Sequence, residues 1–103
     1  MKEYKILSPV EARAELRKLP GWISSDDLLI KVFNFKDFTE TMAFINDLVP
    51  TFEASNHHPG IHIFYNRISF DLTSHEADNR VTDLDYKLAQ EIEYKYQQLK
   101  REP

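Results

Sequence analysis

The chain has 103 residues, no cysteine and a formal net charge of −4, with 42% hydrophobic and 13% aromatic residues. That length supports one domain spanning residues 1–103 around one core, the composition excludes disorder as the default state, and the missing thiols exclude a disulfide framework and a thiolate zinc site. Lys and Arg are scattered among acids, which argues against direct nucleic-acid binding, while the lack of a signal-like start or of an apolar run near the roughly 18 residues of a membrane span predicts a soluble, cytoplasmic protein.

Ser8-Pro9-Val10-Glu11 opens the first helix, with Ser8 as cap, Pro9 at the first helical position and Glu11 as the capping-box acid. Ala12, Leu16 and Leu19 form its apolar stripe, and Pro20-Gly21 stops it. Trp22 to Ser25 reads as a short strand, Asp26-Asp27 as a turn, and Leu28 to Phe35 as a longer strand. Leu28, Ile30 and Val32 point to one side of that strand and Leu29, Phe33 and Phe35 to the other. The second helix starts near Lys36-Asp37, and Phe38, Met42, Ile45, Val49 and Phe52 make a helical stripe expected to face the core. Pro50 predicts a kink or break near Val49-Pro50, with a short second segment around Phe52-Glu53. Ile61 to Tyr65 alternates as a strand, Asn66-Arg67 is the expected turn, and Ile68, Phe70 and Leu72 mark the buried face of the next strand. Thr82 and Asp85 have capping-box spacing at the start of a last helix, whose buried stripe is Leu84, Leu88, Ile92 and Leu99. The order is α-β-β-α-β-β-α. Paired strands with tight turns imply hairpins, so the expected fold is α+β, a four-stranded antiparallel sheet with three helices on one face. Apolar residues left on the other face predict self-association.

All four histidines, His57, His58, His62 and His75, lie within nineteen residues of chain, and no other stretch concentrates groups that titrate near neutral pH. The loop Asn56-His57-His58-Pro59 is a natural site, because Pro59 restricts the backbone that follows the histidines. His62, on a strand, reads as a solvated residue. The four-residue spacing of His58 and His62 would make a metal pair only on a helix, which Pro59 and the alternation of residues 61–65 oppose; no metal site is expected.

The stretch Glu53-Ala54-Ser55-Asn56-His57-His58-Pro59, with Tyr65 six residues after the proline and then Thr73-Ser74-His75, resembles the pterin-4a-carbinolamine dehydratases. Gly21-Trp22, Phe33-Asn34-Phe35-Lys36-Asp37-Phe38 and Asp85-Tyr86-Lys87-Leu88-Ala89 extend the resemblance to essentially the whole chain. The resemblance implies the same α+β fold and a pterin pocket in which His57, His58 and His75 carry the catalysis. It also places Glu53, Asn56, Pro59, Trp22 and Asp85 at the substrate. Ile61 stands where family members often carry an aromatic residue, Asn56 where many carry Asp, the loop from His75 to Thr82 is one residue longer, and Pro50 falls inside the second helix. Asp85 has the alternative reading of a capping acid, and Trp22 that of a core aromatic.

The implied reaction is loss of water from a 4a-hydroxytetrahydropterin. His57 and His75 would form the acid–base pair and His58 would bind and orient the substrate. The resemblance implies no metal or organic cofactor, a setting beside an aromatic amino acid hydroxylase, and a homodimer or homotetramer. Two other readings stand beside it: a non-catalytic dimerisation or binding module, and an enzyme acting on another pterin, such as a molybdopterin-related intermediate.

Overall fold

The structure is a computed structural model that describes residues 3–101. Its elements are α1 (Pro9–Leu16), β1 (Ile23–Ser25), β2 (Leu28–Asn34), α2 (Phe38–Ser55), β3 (Gly60–Phe64), β4 (Arg67–Leu72) and α3 (Asp83–Arg101), with a 3₁₀ turn at His75–Ala77 before α3. The expected order is therefore present. Two antiparallel hairpins, β1–β2 and β3–β4, join through a β2–β4 ladder, giving the sheet order β1-β2-β4-β3.

The capping box at α1 forms as read: the Ser8 hydroxyl accepts from the Glu11 N–H, and the Glu11 carboxylate accepts from the Ser8 N–H. The helix ends at Leu16, short of Pro20-Gly21, and single turns carry the chain to Gly21, whose φ is +82°. Asp26 and Asp27 both take left-handed φ, as a two-residue hairpin turn demands.

The β2–β4 register sets Leu29, Lys31 and Phe33 beside Leu72, Phe70 and Ile68 on the helix-covered face. Leu29, Phe33, Ile68, Phe70 and Leu72 are fully buried there, while Val32 and Ile23 on the opposite face are exposed. Phe33 is the hub of the core, with ring contacts to Trp22, Phe44, Phe70 and Tyr96 at centroid distances of 4.7–6.2 Å. Burial of each such side chain contributes about 2 kcal/mol.

Helix α2 departs from the reading in two ways. Its buried face is Thr41, Phe44, Ile45, Leu48 and Phe52, whereas Phe38 and Val49 are exposed. Apolar residues surround this helix, so the 3–4 spacing is met by two overlapping stripes. Packing selects the one that includes Thr41, whose hydroxyl satisfies itself on the Asp37 carbonyl. The helix also runs unbroken through Pro50 to Ser55. Proline removes one backbone donor; Leu48 and Phe52, both buried, hold the helix on either side of it. The β3–β4 turn is Tyr65-Asn66, one residue earlier than expected, with Tyr65 at φ +49° and Arg67 already in β4. In α3, Leu88 and Ile92 are buried and Leu99 packs partly against the core. No helix among the described residues is long and apolar enough to cross a membrane.

Candidate active site

The end of α2 aims the histidine pair. Asn56 takes the left-handed conformation (φ 50°, ψ 40°). Its N–H bonds to the Glu53 carbonyl, and the His57 N–H reaches the Phe52 carbonyl. These two bonds across a left-handed residue make a Schellman ending, a position where Asn is tolerated better than most side chains. This conformation is a local reason for Asn at position 56. The reversal that follows turns His57 inward, where it is buried.

His57 Nε2 lies 2.6 Å from Asp85 Oδ1. Asp85 has no exposed surface, and its other oxygen, Oδ2, accepts from the Ser74 hydroxyl at 2.8 Å and from the Thr82 N–H at 2.8 Å. Three donors converge on a carboxylate, which only accepts, so the network places a proton on His57 Nε2. Neutral His57 then keeps its lone pair on Nδ1. Ser74 spends its only proton on Asp85, so Thr82 Oγ1 donates to Ser74 Oγ across 2.7 Å and itself accepts from the Leu84 N–H. Asp85 is thus the capping acid of α3 and the partner of His57 at once. Beside it, burial pushes the Tyr86 phenol up, a hydrogen bond from Ser24 pulls it back, and the Asp85 and Glu15 charges add to the rise.

The remaining residues divide into two groups. His58 is exposed and pairs through Nε2 with Glu53 Oε1 at 2.9 Å, in the last turn of α2. His75 is also exposed and opens the 3₁₀ turn directly after Ser74. Its Nδ1 is 2.6 Å from the Asn79 side-chain oxygen; that oxygen accepts, so Nδ1 carries the proton and Nε2 the lone pair. Pro59, half-buried, leads into β3. His57, the segment bearing His75 and Asp85 are therefore joined by one hydrogen-bonded chain through Ser74.

Trp22 is not part of that chain. It is buried against Phe33, and its indole N–H donates to Glu93 Oε1 at 2.9 Å, an oxygen shared with the Lys31 ammonium at 2.7 Å. Glu93 lies eight residues beyond Asp85, about 12 Å along α3, so the core reading fits the place of Trp22. His62 is exposed on the open face of the sheet, 3.2 Å from Asp71 Oδ2.

A cavity of about 150 Å³ opens at His57, lined also by Ser55, Leu84, Lys87, Leu88 and Glu91. A wider groove of about 440 Å³ along the C-terminal half of α3 includes none of the histidines. Among the described residues, no group of three or more His, Cys, Asp or Glu is placed to hold a metal ion. Sequence reasoning overlooked Ser74 and Lys87 as site residues. Adjacency to His75 was the available signal for Ser74; Lys87 enters through the helical period, three residues after Leu84 and four before Glu91.

Residues 5–94 match the family model described as pterin 4 alpha carbinolamine dehydratase. The chain belongs to this family. A protein of Sulfurisphaera tokodaii that carries the provisional name pterin-4-alpha-carbinolamine dehydratase is 40% identical over 89 residues, 86% of this chain and 95% of that one. One of Thermosynechococcus vestitus with the same provisional name is 42% identical over 86 residues, 84% and 90% of the two chains. A crystal structure of a Brucella melitensis protein described as a transcriptional coactivator/pterin dehydratase superposes with a TM-score of 0.82 at 32% identity, covering 89% of this chain and 99% of that one. Family membership and the superposition agree with the α+β fold described above.

Proposed function

We propose that this chain catalyses the dehydration of a 4a-hydroxytetrahydropterin, of the 4a-hydroxytetrahydrobiopterin type, to the quinonoid dihydropterin in tetrahydropterin recycling. The observation that carries the reading is the buried His57–Asp85 pair, 2.6 Å apart, within the stretch that matches the family model. In the reaction the bond from carbon 4a to its hydroxyl oxygen breaks as the lone pair of the neighbouring ring nitrogen forms a carbon–nitrogen double bond. The proton on that nitrogen goes to a base, and an acid protonates the departing oxygen to give water. Hydroxide alone leaves poorly, so imidazole acid–base catalysis is suited to the step and contributes roughly two to four powers of ten.

His57 and His75 serve as the acid–base pair. With Nε2 held by Asp85, His57 exchanges its proton at Nδ1; with Nδ1 held by Asn79, His75 exchanges at Nε2. His58, steadied by Glu53, binds and orients the ring, and Asn56 and Pro59 set the loop that carries it. The reaction needs no metal or organic cofactor. The enzyme would work in the cytoplasm beside an aromatic amino acid hydroxylase, as a homodimer or homotetramer.

The test is the rate of 4a-carbinolamine loss in a hydroxylase-coupled assay, with wild type against His57→Ala and His75→Ala. Wild type is expected to accelerate the reaction and both variants to lose at least tenfold in turnover. Folded wild-type protein without any effect would overturn the reading. A second reading, a binding module, is favoured by the coactivator description of the Brucella melitensis protein and by Ile23 and Val32, exposed on the open sheet face. It predicts no acceleration and an assembly broken by Val32→Lys.

A further inference from the structure

The first N–H groups of a helix have no partner within it. At the start of α3, Thr82 serves two of them, through its hydroxyl to the Leu84 N–H and its carbonyl to the Asp85 N–H. The N–H of Asp83, the first residue of the helix, goes instead to the Lys5 carbonyl at 3.0 Å. The bond is returned across the 78 residues that separate the two: the Lys5 N–H donates to Asp83 Oδ1 at 2.7 Å. The pair is reciprocal, like the bonds of a capping box, but its two halves come from distant parts of the chain.

The segment that supplies Lys5 is itself anchored. The Lys5 ammonium reaches Glu11 Oε2 at 2.7 Å, so one residue ties the cap of α1 to the cap of α3. Leu7 packs partly buried against the core. Asp83 stands two residues before Asp85, whose carboxylate is already committed to His57, Ser74 and the Thr82 N–H. The turn that carries Asp85 is therefore held by the Lys5 main chain as well as by its own cap.

We infer that Lys5 and Asp83 form a clasp that positions the His57–Asp85 pair by keeping the first turn of α3 from fraying. They are positioning residues, acting through Asp85. Their bearing on turnover rests on the dehydratase reading above; their bearing on the His57–Asp85 bond does not. Helix ends open locally more readily than core strands, and loss of the clasp bonds should raise that opening about five- to tenfold.

The readout is the Nε2 proton of His57 in the full chain, followed by NMR through its exchange with solvent. Asp83→Ala removes the acceptor and Lys5→Pro removes the donor. Each is expected to speed the exchange about five- to tenfold, while the Ile68 and Phe70 amides of β4 keep their wild-type rates. Asp83→Asn keeps an acceptor oxygen and is expected to stay within about twofold of wild type. Unchanged exchange in both Asp83→Ala and Lys5→Pro would overturn the clasp. Equal acceleration at Ile68 and Phe70 would also overturn it, by making the contact one of general stability. So would Asp83→Asn exchanging as fast as Asp83→Ala, which would assign the effect to charge at the helix end. In the dehydration assay, turnover of Asp83→Ala should fall in step with the faster exchange; undiminished turnover would overturn the role in catalysis. Wild type that dehydrates nothing would overturn the dehydratase reading and leave the exchange rates to decide the clasp.

Discussion

His57 and Asp85, 28 residues apart in the chain, share a hydrogen bond of 2.6 Å through the same carboxylate that closes the first turn of α3 on the Thr82 N–H. Asp85→Asn keeps the size of the side chain but offers one acceptor oxygen and an amide donor to three incoming donors. One of them then goes unsatisfied in a buried place, or His57 moves its proton to Nδ1 and accepts from the new amide through Nε2. The expected loss is about 2 kcal/mol of stability in urea unfolding and at least tenfold in turnover. Ser74→Ala removes one of the same donors. A double-mutant cycle of the two should show a coupling of at least about 0.5 kcal/mol; strictly additive effects would refute the shared network.

Pro50 sits inside α2 without an amide proton to give to the preceding turn, and it is exposed. Pro50→Ala restores the donor, and the gain exceeds what the freer unfolded chain takes back. The melting temperature should rise, corresponding to about 1–2 kcal/mol. A fall in melting temperature would mean that the helix depends on the proline ring for packing.

Glu11 caps α1 and pairs with Lys5, and these bonds hold its carboxyl down at about 2 from the ordinary 4.5. The Lys5 side-chain hydrogen bond is the largest cause, followed by the Ser8 N–H and hydroxyl. Because the folded-state value is the lower one, the capping contribution is complete above pH 4.5 and fades as pH falls towards 2. Wild type should therefore be more stable than Glu11→Gln at neutral pH, and the two unfolding curves should converge on acidification. A gap that stays constant down to pH 2 would contradict this.

The order of elements was legible because local signals agreed with the global fold. Ser8 with Glu11, the Asp26-Asp27 turn and the Ile68-Phe70-Leu72 alternation each act within a few residues. What the chain did not disclose are choices made at a distance. The face of α2 that turns inward is decided by Phe33 and Phe70 across the sheet, not by the spacing of Phe38 and Val49. The Tyr65-Asn66 turn was missed because an aromatic residue is an unusual occupant of left-handed backbone. The histidines stood out in the sequence, and so did the cap at Asp85. That the cap and His57 meet, and that Ser74 is the link, needs the folding of three separate segments onto one carboxylate.

The double duty of Asp85 constrains how this protein can change over generations. A mutation that retunes His57 through its carboxylate also alters the start of α3, so new chemistry and lost folding arrive in the same step. Drift is freer at Glu53 and Asn79, which are exposed and each support one surface histidine. Descendants of this chain should therefore diversify first around His58 and His75, with the His57–Asp85 axis the last part of the site to move.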